Sequence, residues 1–327
     1  MKRDVPHILL VNPWIHDFAA YDFWAKPLGL LALAALLRSH GLSVSYIDCL
    51  DRFHPGAADG DPSARYGRGP YLKTRISKPH GLRDVQRTFS RYGIKPRWFR
   101  EDLQALQPPD LILITSLMTY WYTGVQETVT ILRAFFPDTP IILGGIYASL
   151  CHEHALKNAG VDDIFCGPAE DALFDLVDRY THFKTTPRFN PQNLDTYPYP
   201  ALDLQNQINY VPLLTSRGCP FKCTYCASHF LNPIRMWRSP DSVLEEINFW
   251  HQSYQVKDFV LYDDAFLVDA EQHAIPLLEK IIQADIRLRF HTPNALHIRG
   301  ISAQSARLLY RAGFKTIRLG LETAEFD

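Results

Sequence analysis

Arg217-Gly218-Cys219-Pro220-Phe221-Lys222-Cys223-Thr224-Tyr225-Cys226 places three of the chain's six cysteines within eight residues. The spacing C-x3-C-x2-C supplies three thiolates, not four. A 4Fe–4S cluster held by three thiolates keeps one iron open to a small-molecule ligand. Ferredoxin-type sites close every iron with cysteine, so an open iron points to chemistry rather than electron storage. A Cys3His zinc site with His229 is the competing metal reading. Its four ligands would crowd into eleven residues with no second half-site. A disulfide fits less well, because no secretory signal is visible.

Strand and helix patterns alternate on both sides of this loop. Residues 210–216 read as a strand that feeds directly into the cysteines. Helix patterns follow at 242–254, 271–284 and 302–312, the first with Val243, Ile247 and Trp250 on one face. Strands are expected at 258–262, 288–291 and 316–321. Ahead of the loop, residues 181–207 carry Pro187, Pro191, Pro198 and Pro200 among polar residues and read as a linker. Residues 1–180 form an earlier series. Its strands are expected at 7–11, 42–47, 110–115, 140–143 and 163–166, and its helices at 28–38, 124–136, 151–159 and 170–180. Such alternation predicts an α/β fold with a doubly wound parallel sheet, which binds ligands at the carboxyl ends of its strands.

The stretch R-G-C-P-F-K-C-T-Y-C resembles the signature of the radical S-adenosylmethionine (radical SAM) superfamily. The resemblance implies that Cys219, Cys223 and Cys226 hold the cluster and that SAM chelates the open iron. Reduction then cleaves SAM to a 5′-deoxyadenosyl radical. Tyr225 would pack near the adenine. SAM is a zwitterion with a ribose diol, so its site needs polar groups at strand ends. Asp263 and Asp264 end the second strand of the later series, where the family often carries two acids. Asn294 follows the third strand, and Glu322 ends the fourth in Gly320-Leu-Glu-Thr323, which resembles the family's G-x-E-S. Each alone reads as readily as a capping or turn residue.

The first domain, residues 1–180, resembles the cobalamin-binding, Rossmann-like domain that precedes many radical SAM cores. Asn12-Pro13, the run from Lys26 to Leu37, Gly41 and Asp48 carry the likeness, with Gly144-Gly145 and Gly167-Pro168-Ala169-Glu170. The resemblance implies that Gly144 and Gly145 let backbone approach the nucleotide tail of cobalamin and that Ser116 hydrogen-bonds it. The D-x-H-x-x-G motif that ligates cobalt in one group of relatives is absent. Asp51-Arg-Phe-His54-Pro-Gly56 has the residue types at the wrong spacing, so no histidine is expected below the cobalt. The aromatic loop Trp14, Phe18, Tyr21, Phe23 and Trp24 either packs in the core or lines the space between the two cofactors.

A long insertion, residues 51–109, separates the second and third strands. Its residues 61–100 carry eleven Lys or Arg against Asp61 and Asp84. Leu82, Val85, Phe89 and Tyr92 fall at helical spacing, which predicts a helix under a solvated basic face; a clamp for an anionic substrate or nucleotide phosphate, or nucleic-acid contact, is the sharper alternative. Overall net charge is −1, so the chain has no global attraction to nucleic acid or membrane. The longest apolar stretch, residues 28–37, falls short of the ~20 residues of a membrane span. A cytoplasmic protein is expected.

A radical SAM core is a six-stranded partial barrel, and residues 208–327 offer its first four strands only. The chain therefore reads as C-terminally truncated, or as completed by another polypeptide. The family resemblance implies cobalamin-dependent methyl transfer to an unactivated carbon or phosphorus on an unidentified small molecule. A reducing protein such as flavodoxin or ferredoxin would supply the electron. A cobalamin-dependent cyclase or other non-methylating radical enzyme is the alternative, and a non-catalytic cobalamin- or cluster-binding protein is the non-enzyme rival. Cys49, Cys151 and Cys166 are too scattered to suggest a second cluster.

Overall fold

The computed structural model of the chain describes residues 5–58 and 60–320. They divide into two compact units. The first comprises residues up to 64, 68–188 and 198–207; the second comprises 65–67, 189–197 and residues from 208 onward.

The first unit contains strands β1 (His7–Asn12), β2 (Ile15–Asp17), β3 (Ser43–Asp48), β4 (Lys73–Arg75), β5 (Ser90–Tyr92), β6 (Leu111–Ile114), β7 (Ile141–Leu143) and β8 (Asp163–Ile164). Its main sheet runs β3-β1-β6-β7-β8, every pair parallel. β1 and β6 are buried along their whole length, as continuous apolar runs in a sheet covered on both faces should be. Helices α1 (Leu28–Ser39), α2 (Pro96–Ala105), α3 (Tyr122–Phe135), α4 (Ile146–Leu150), α5 (His152–Asn158) and α6 (Leu173–Thr181) complete the unit. Trp98, Phe99 and Leu103 of α2 and Val125, Val129 and Leu132 of α3 pack into one core with Leu9, Val11, Ile112 and Ile114. Strand order reverses between β1 and β6, which places the ligand crevice of a doubly wound sheet at their carboxyl ends.

The insertion departs from expectation. Leu82, Val85, Phe89 and Tyr92 do not share a helix. Ser90–Tyr92 is instead the centre of a small antiparallel sheet, β2-β5-β4, in which Tyr92 faces Ile15 and Lys73. Pairing with the loop after β1 overrides the helical spacing, and only Phe89 and Tyr92 of the four are buried. The helix of this region lies later, at α2, where Pro96 supplies a favourable first position.

The second unit contains β9 (Val211–Leu213), β10 (Ser216–Arg217), α7 (Ser228–Leu231), β11 (Met236–Trp237), α8 (Pro240–Tyr254), β12 (Asp258–Leu261), α9 (Ala274–Gln283), β13 (Arg289–His291), α10 (Ala303–Arg311) and β14 (Phe314–Thr316). Its parallel sheet runs β14-β13-β12-β9. β9, β12 and β13 are followed by α8, α9 and α10, which return the chain to the next strand, the pattern of a (β/α) series. α8 starts on a Ser239 side chain that accepts from the Ser242 N–H, with Pro240 next. α10 starts on a capping box of Ser302 and Ser305. β14 begins two residues earlier than expected, because Phe314 stacks on Phe290 at 5.4 Å and draws residues 314–316 into the sheet. Among the described residues no helix is long and apolar enough to cross a membrane.

Candidate cofactor sites at strand ends

β9 ends at Leu213, and after two intervening residues β10 pairs antiparallel with β11, Ser216 opposite Trp237 and Arg217 opposite Met236. Residues 218–235 are therefore a loop closed at its base by a ribbon, at the carboxyl end of the first strand of the sheet. Gly218 opens it with φ of 82°. A Cβ there would lie 2.8 Å from the Ile234 carbonyl oxygen and 3.1 Å from that of Asn232, so only glycine lets the loop's two limbs close. The Cys219, Cys223 and Cys226 side chains are half-buried and free of disulfides. The Cys226 N–H donates to the Cys223 carbonyl at 3.0 Å, a tight turn between two of them. Burial pushes the Cys219 thiol up, and Asp264 and the other two thiols add to the effect.

This donor set suits a cubane, which takes one thiolate per iron. A single tetrahedral zinc would draw its ligands to within about 4 Å of one another. Among the described residues no three His, Cys, Asp or Glu side chains converge in that way. The His229 ring instead lies tilted against Phe230, ring centroids 3.9 Å apart.

The two acids after β12 both turn toward this loop. Asp263 is buried. One of its oxygens accepts from Thr215 Oγ1 at 2.6 Å and Ser216 Oγ at 2.5 Å, and the other from the Thr215 N–H at 3.3 Å. Thr215 Oγ1 also meets His273 Nε2 at 2.8 Å. Burial and the Arg235 charge push His273 down to about 4, so it is a neutral partner. Asp264 faces the loop itself: burial raises its carboxyl, while hydrogen bonds from the Gly218 backbone, Asn232 and Ser228 oppose that. Asn294 donates from Nδ2 to the carbonyls of Tyr262 and Asp263, at 3.1 and 3.2 Å, and so ties the ends of β12 and β13 together. Tyr225 is 71 % exposed, a position open to a ligand's flat face. Glu322 lies outside the described residues. Thr215, Ser216 and His273 were not expected as site residues; the hydroxyl pair directly before Arg217-Gly218 was a signal for the first two, and His273 had none.

In the first unit the strand ends of β1, β6 and β7 meet at the reversal point. Ser116 is buried and its hydroxyl donates to the Gly144 carbonyl at 2.7 Å. The Ile146 N–H donates to the Ser116 carbonyl, also at 2.7 Å. A cleft beside them is lined by Asn12, Trp14, Leu50, Ser116, Met118 and Trp121 among others. Asn12, part of the stretch that carries the family likeness but not among the expected site residues, donates from Nδ2 to Asp48 at 2.7 Å. Its buried Oδ1 has no hydrogen-bond partner. A buried acceptor left open costs about 1–3 kcal/mol, so a donor group on a ligand would be stabilised there. A Cβ on Gly144 would meet nothing closer than 3.9 Å, which leaves space against that backbone. An open acceptor and an unobstructed Gly144 backbone suit an amide donor at the strand ends. Trp14 and Trp24 are core residues, 1 % and 2 % exposed, whereas Phe23 is 49 % exposed.

The basic insertion is largely satisfied by local partners. Arg91 forks onto Glu127, Arg68 lies over Trp24 and Arg87 over Phe18. Lys73 and Arg75 are exposed on β4, the edge of its sheet, where charge blocks further strand pairing.

Two family models match the chain. Residues 96–177 match the B12 binding domain, and residues 213–327 match the radical SAM superfamily. Over 244 residues the chain is 25 % identical to an uncharacterized methyltransferase of Pyrococcus horikoshii, covering 66 % of this chain and 52 % of that protein. Over 258 residues it is 24 % identical to the anaerobic magnesium-protoporphyrin IX monomethyl ester cyclase of Rubrivivax gelatinosus, covering 69 % and 46 %. The chain thus spans about half the length of these curated relatives. Among solved structures it is similar to the radical S-adenosylmethionine methyltransferase TsrM from Kitasatospora setae with tryptophan and a SAM analogue bound. That match has a TM-score of 0.68 at 18 % identity and covers 98 % of this chain and 60 % of TsrM. TsrM with cobalamin and a [4Fe–4S] cluster bound gives a TM-score of 0.67 at 17 % identity. The likeness establishes the fold.

Proposed function

We propose that this chain, which matches both a B12-binding domain and the radical SAM superfamily, serves cobalamin-dependent methyl transfer to a poorly activated carbon or phosphorus of a small molecule. The observation that carries this reading is the pairing, in one chain, of a three-thiol loop on one parallel sheet with an unobstructed Gly144 backbone and an open Asn12 acceptor at the strand ends of another. When bound, the cluster supplies one-electron cleavage of SAM and the cobalamin carries the methyl group.

The protein's own residues bind and orient. Cys219, Cys223 and Cys226 hold three irons. Gly218 lets the loop close, and Asp263, through Thr215 and Ser216, fixes the strand from which it springs. Asn294 holds the adjoining strand ends together, and Tyr225 offers an exposed ring for the adenine. Asn12, Ser116, Gly144 and Gly145 form the cradle for cobalamin, with Glu322 a further candidate for the SAM ribose. By this reading residues 1–180 are the cobalamin-binding domain, 181–207 a linker and 208–327 part of the radical SAM barrel. The thiols require a reducing compartment, the cytoplasm, and a flavodoxin- or ferredoxin-like protein as electron donor. A second reading, supported by the similarity to a cyclase, keeps both cofactors but closes a ring instead of transferring a methyl.

The test is anaerobic reconstitution with iron, sulfide and hydroxocobalamin, then desalting, with iron and cobalt counts and an absorption spectrum. Four irons and one cobalt per chain are expected, and Cys223→Ala should lose the iron while keeping the cobalt. Iron without cobalt would remove methyl transfer and leave the first unit a docking domain.

A further inference from the structure

One polar group beside the cysteines is not accounted for by ligation or by loop closure. Ser228 stands two residues after Cys226. The Cys226 thiol donates to its Oγ at 3.2 Å, and the Ser228 N–H donates back to the Cys226 sulfur at 3.5 Å. On its other side the Ser228 hydroxyl reaches Asp264. The serine oxygen is thus held between a sulfur and a carboxylate.

A hydroxyl has one proton and two lone pairs. While Cys226 is a thiol, the sulfur donates and the Ser228 hydroxyl donates its own hydrogen bond to Asp264. As an iron ligand Cys226 has no proton to give, and its sulfur becomes an acceptor. Asp264 has other donors, the Gly218 N–H and Asn232 Nδ2, the latter at 3.5 Å. The Ser228 hydroxyl is therefore free to turn to the sulfur, where the Ser228 amide already donates. Hydrogen bonds to cluster sulfurs raise the reduction potential, because they stabilise the more negative reduced state.

We propose that Ser228, held beside Cys226 by its own amide, is a positioning residue that sets the reduction potential of the cluster through the Cys226 sulfur. The proposal rests on the cluster assignment made above. It concerns how readily the cluster accepts the electron, not which substrate is used.

The test is an EPR-monitored redox titration of reconstituted protein without substrate. Ser228→Ala should keep its iron and show about a tenfold lower ratio of reduced to oxidised cluster at a fixed potential, about 59 mV more negative for a one-electron couple. Ser228→Thr, which keeps the hydroxyl, should titrate like the unaltered protein. An unmoved or more positive potential in Ser228→Ala would overturn the proposal. So would Ser228→Thr tracking the alanine variant, or loss of iron in Ser228→Ala, which would make the serine a builder of the loop. If the unaltered chain takes up no four-iron cluster, the cofactor reading itself fails, and the iron count shows this before any titration.

Discussion

Gly144 and Gly145 look equivalent in the sequence, yet a methyl group should affect them very differently. Gly145 has φ of 90° and ψ of −165°, a region open almost solely to glycine, where another residue carries about 1–3 kcal/mol of strain. A Cβ on Gly145 would stand 2.5 Å from the Ser116 carbonyl oxygen, 2.7 Å from the Ser116 nitrogen and 3.0 Å from Thr115 Oγ1. The first two are backbone atoms, pinned by the 2.7 Å bonds from Ile146 N–H and from Ser116 Oγ to Gly144. Relief requires the ends of β6 and β7 to part, and forced overpacking costs about 1–3 kcal/mol more. Gly145→Ala should therefore lose about 2–6 kcal/mol, a large share of the roughly 5–15 kcal/mol that holds a domain folded. At Gly144 the nearest atom is the Phe165 carbonyl oxygen at 3.9 Å, and φ is not positive. Gly144→Ala should change stability by no more than about 1 kcal/mol. The assay is urea unfolding without cobalamin, with hydrogen exchange of the β6 and β7 amides to localise the effect. Cobalamin binding then separates roles: Gly144→Ala should fold normally and bind the cofactor more weakly, because its methyl fills the cradle. Equal destabilisation by the two alanines, or an unchanged midpoint for Gly145→Ala, would refute the reasoning.

Two further outcomes follow from buried charge. Burial and the neighbouring Asp51 push the Asp48 carboxyl up to about 6, against an ordinary value of about 3.9. A folded value above the unfolded one means that stability present below about pH 4 is lost as pH rises to 6. Asp48→Asn should abolish that loss and exceed the parent by about 1–3 kcal/mol at pH 7; urea midpoints at pH 4 and 7 check it, and a difference that does not grow with pH would dispose of the idea. In the second unit Arg238 pairs with Glu246, whose side chain is 3 % exposed, and also donates to the Ser242 carbonyl at 3.1 Å. Arg238→Met should cost about 3–5 kcal/mol by stranding a buried carboxylate. Adding Glu246→Met should restore much of that, and a double variant no better than the single one would show that the charge is not the cause.

What was legible in the sequence follows from where each element gets its stability. β1 and β6 carry continuous apolar runs, residues 8–11 and 111–114, whose burial is written in their own residues. β2, β4 and β5 are three residues each. They exist only because Ile15 meets Tyr92 and Tyr92 meets Lys73, partners far apart in the chain, so the local spacing of Leu82, Val85, Phe89 and Tyr92 pointed to a helix. The same division holds at the site. Three cysteines at fixed spacing carry their chemistry with them. Asp263 and Asp264 could be placed at a strand end from the sequence, but not aimed. Asp263 turns to Thr215, 48 residues earlier, and Asp264 to the loop that follows it. Such an acid near a cofactor acts on it through the segment it holds, and its substitution would be felt first in the order of residues 215–228 and only then in SAM affinity. That order of effects distinguishes a brace from a ligand, and Asp263→Asn read by hydrogen exchange across the loop before any SAM is added would show which of the two Asp263 is.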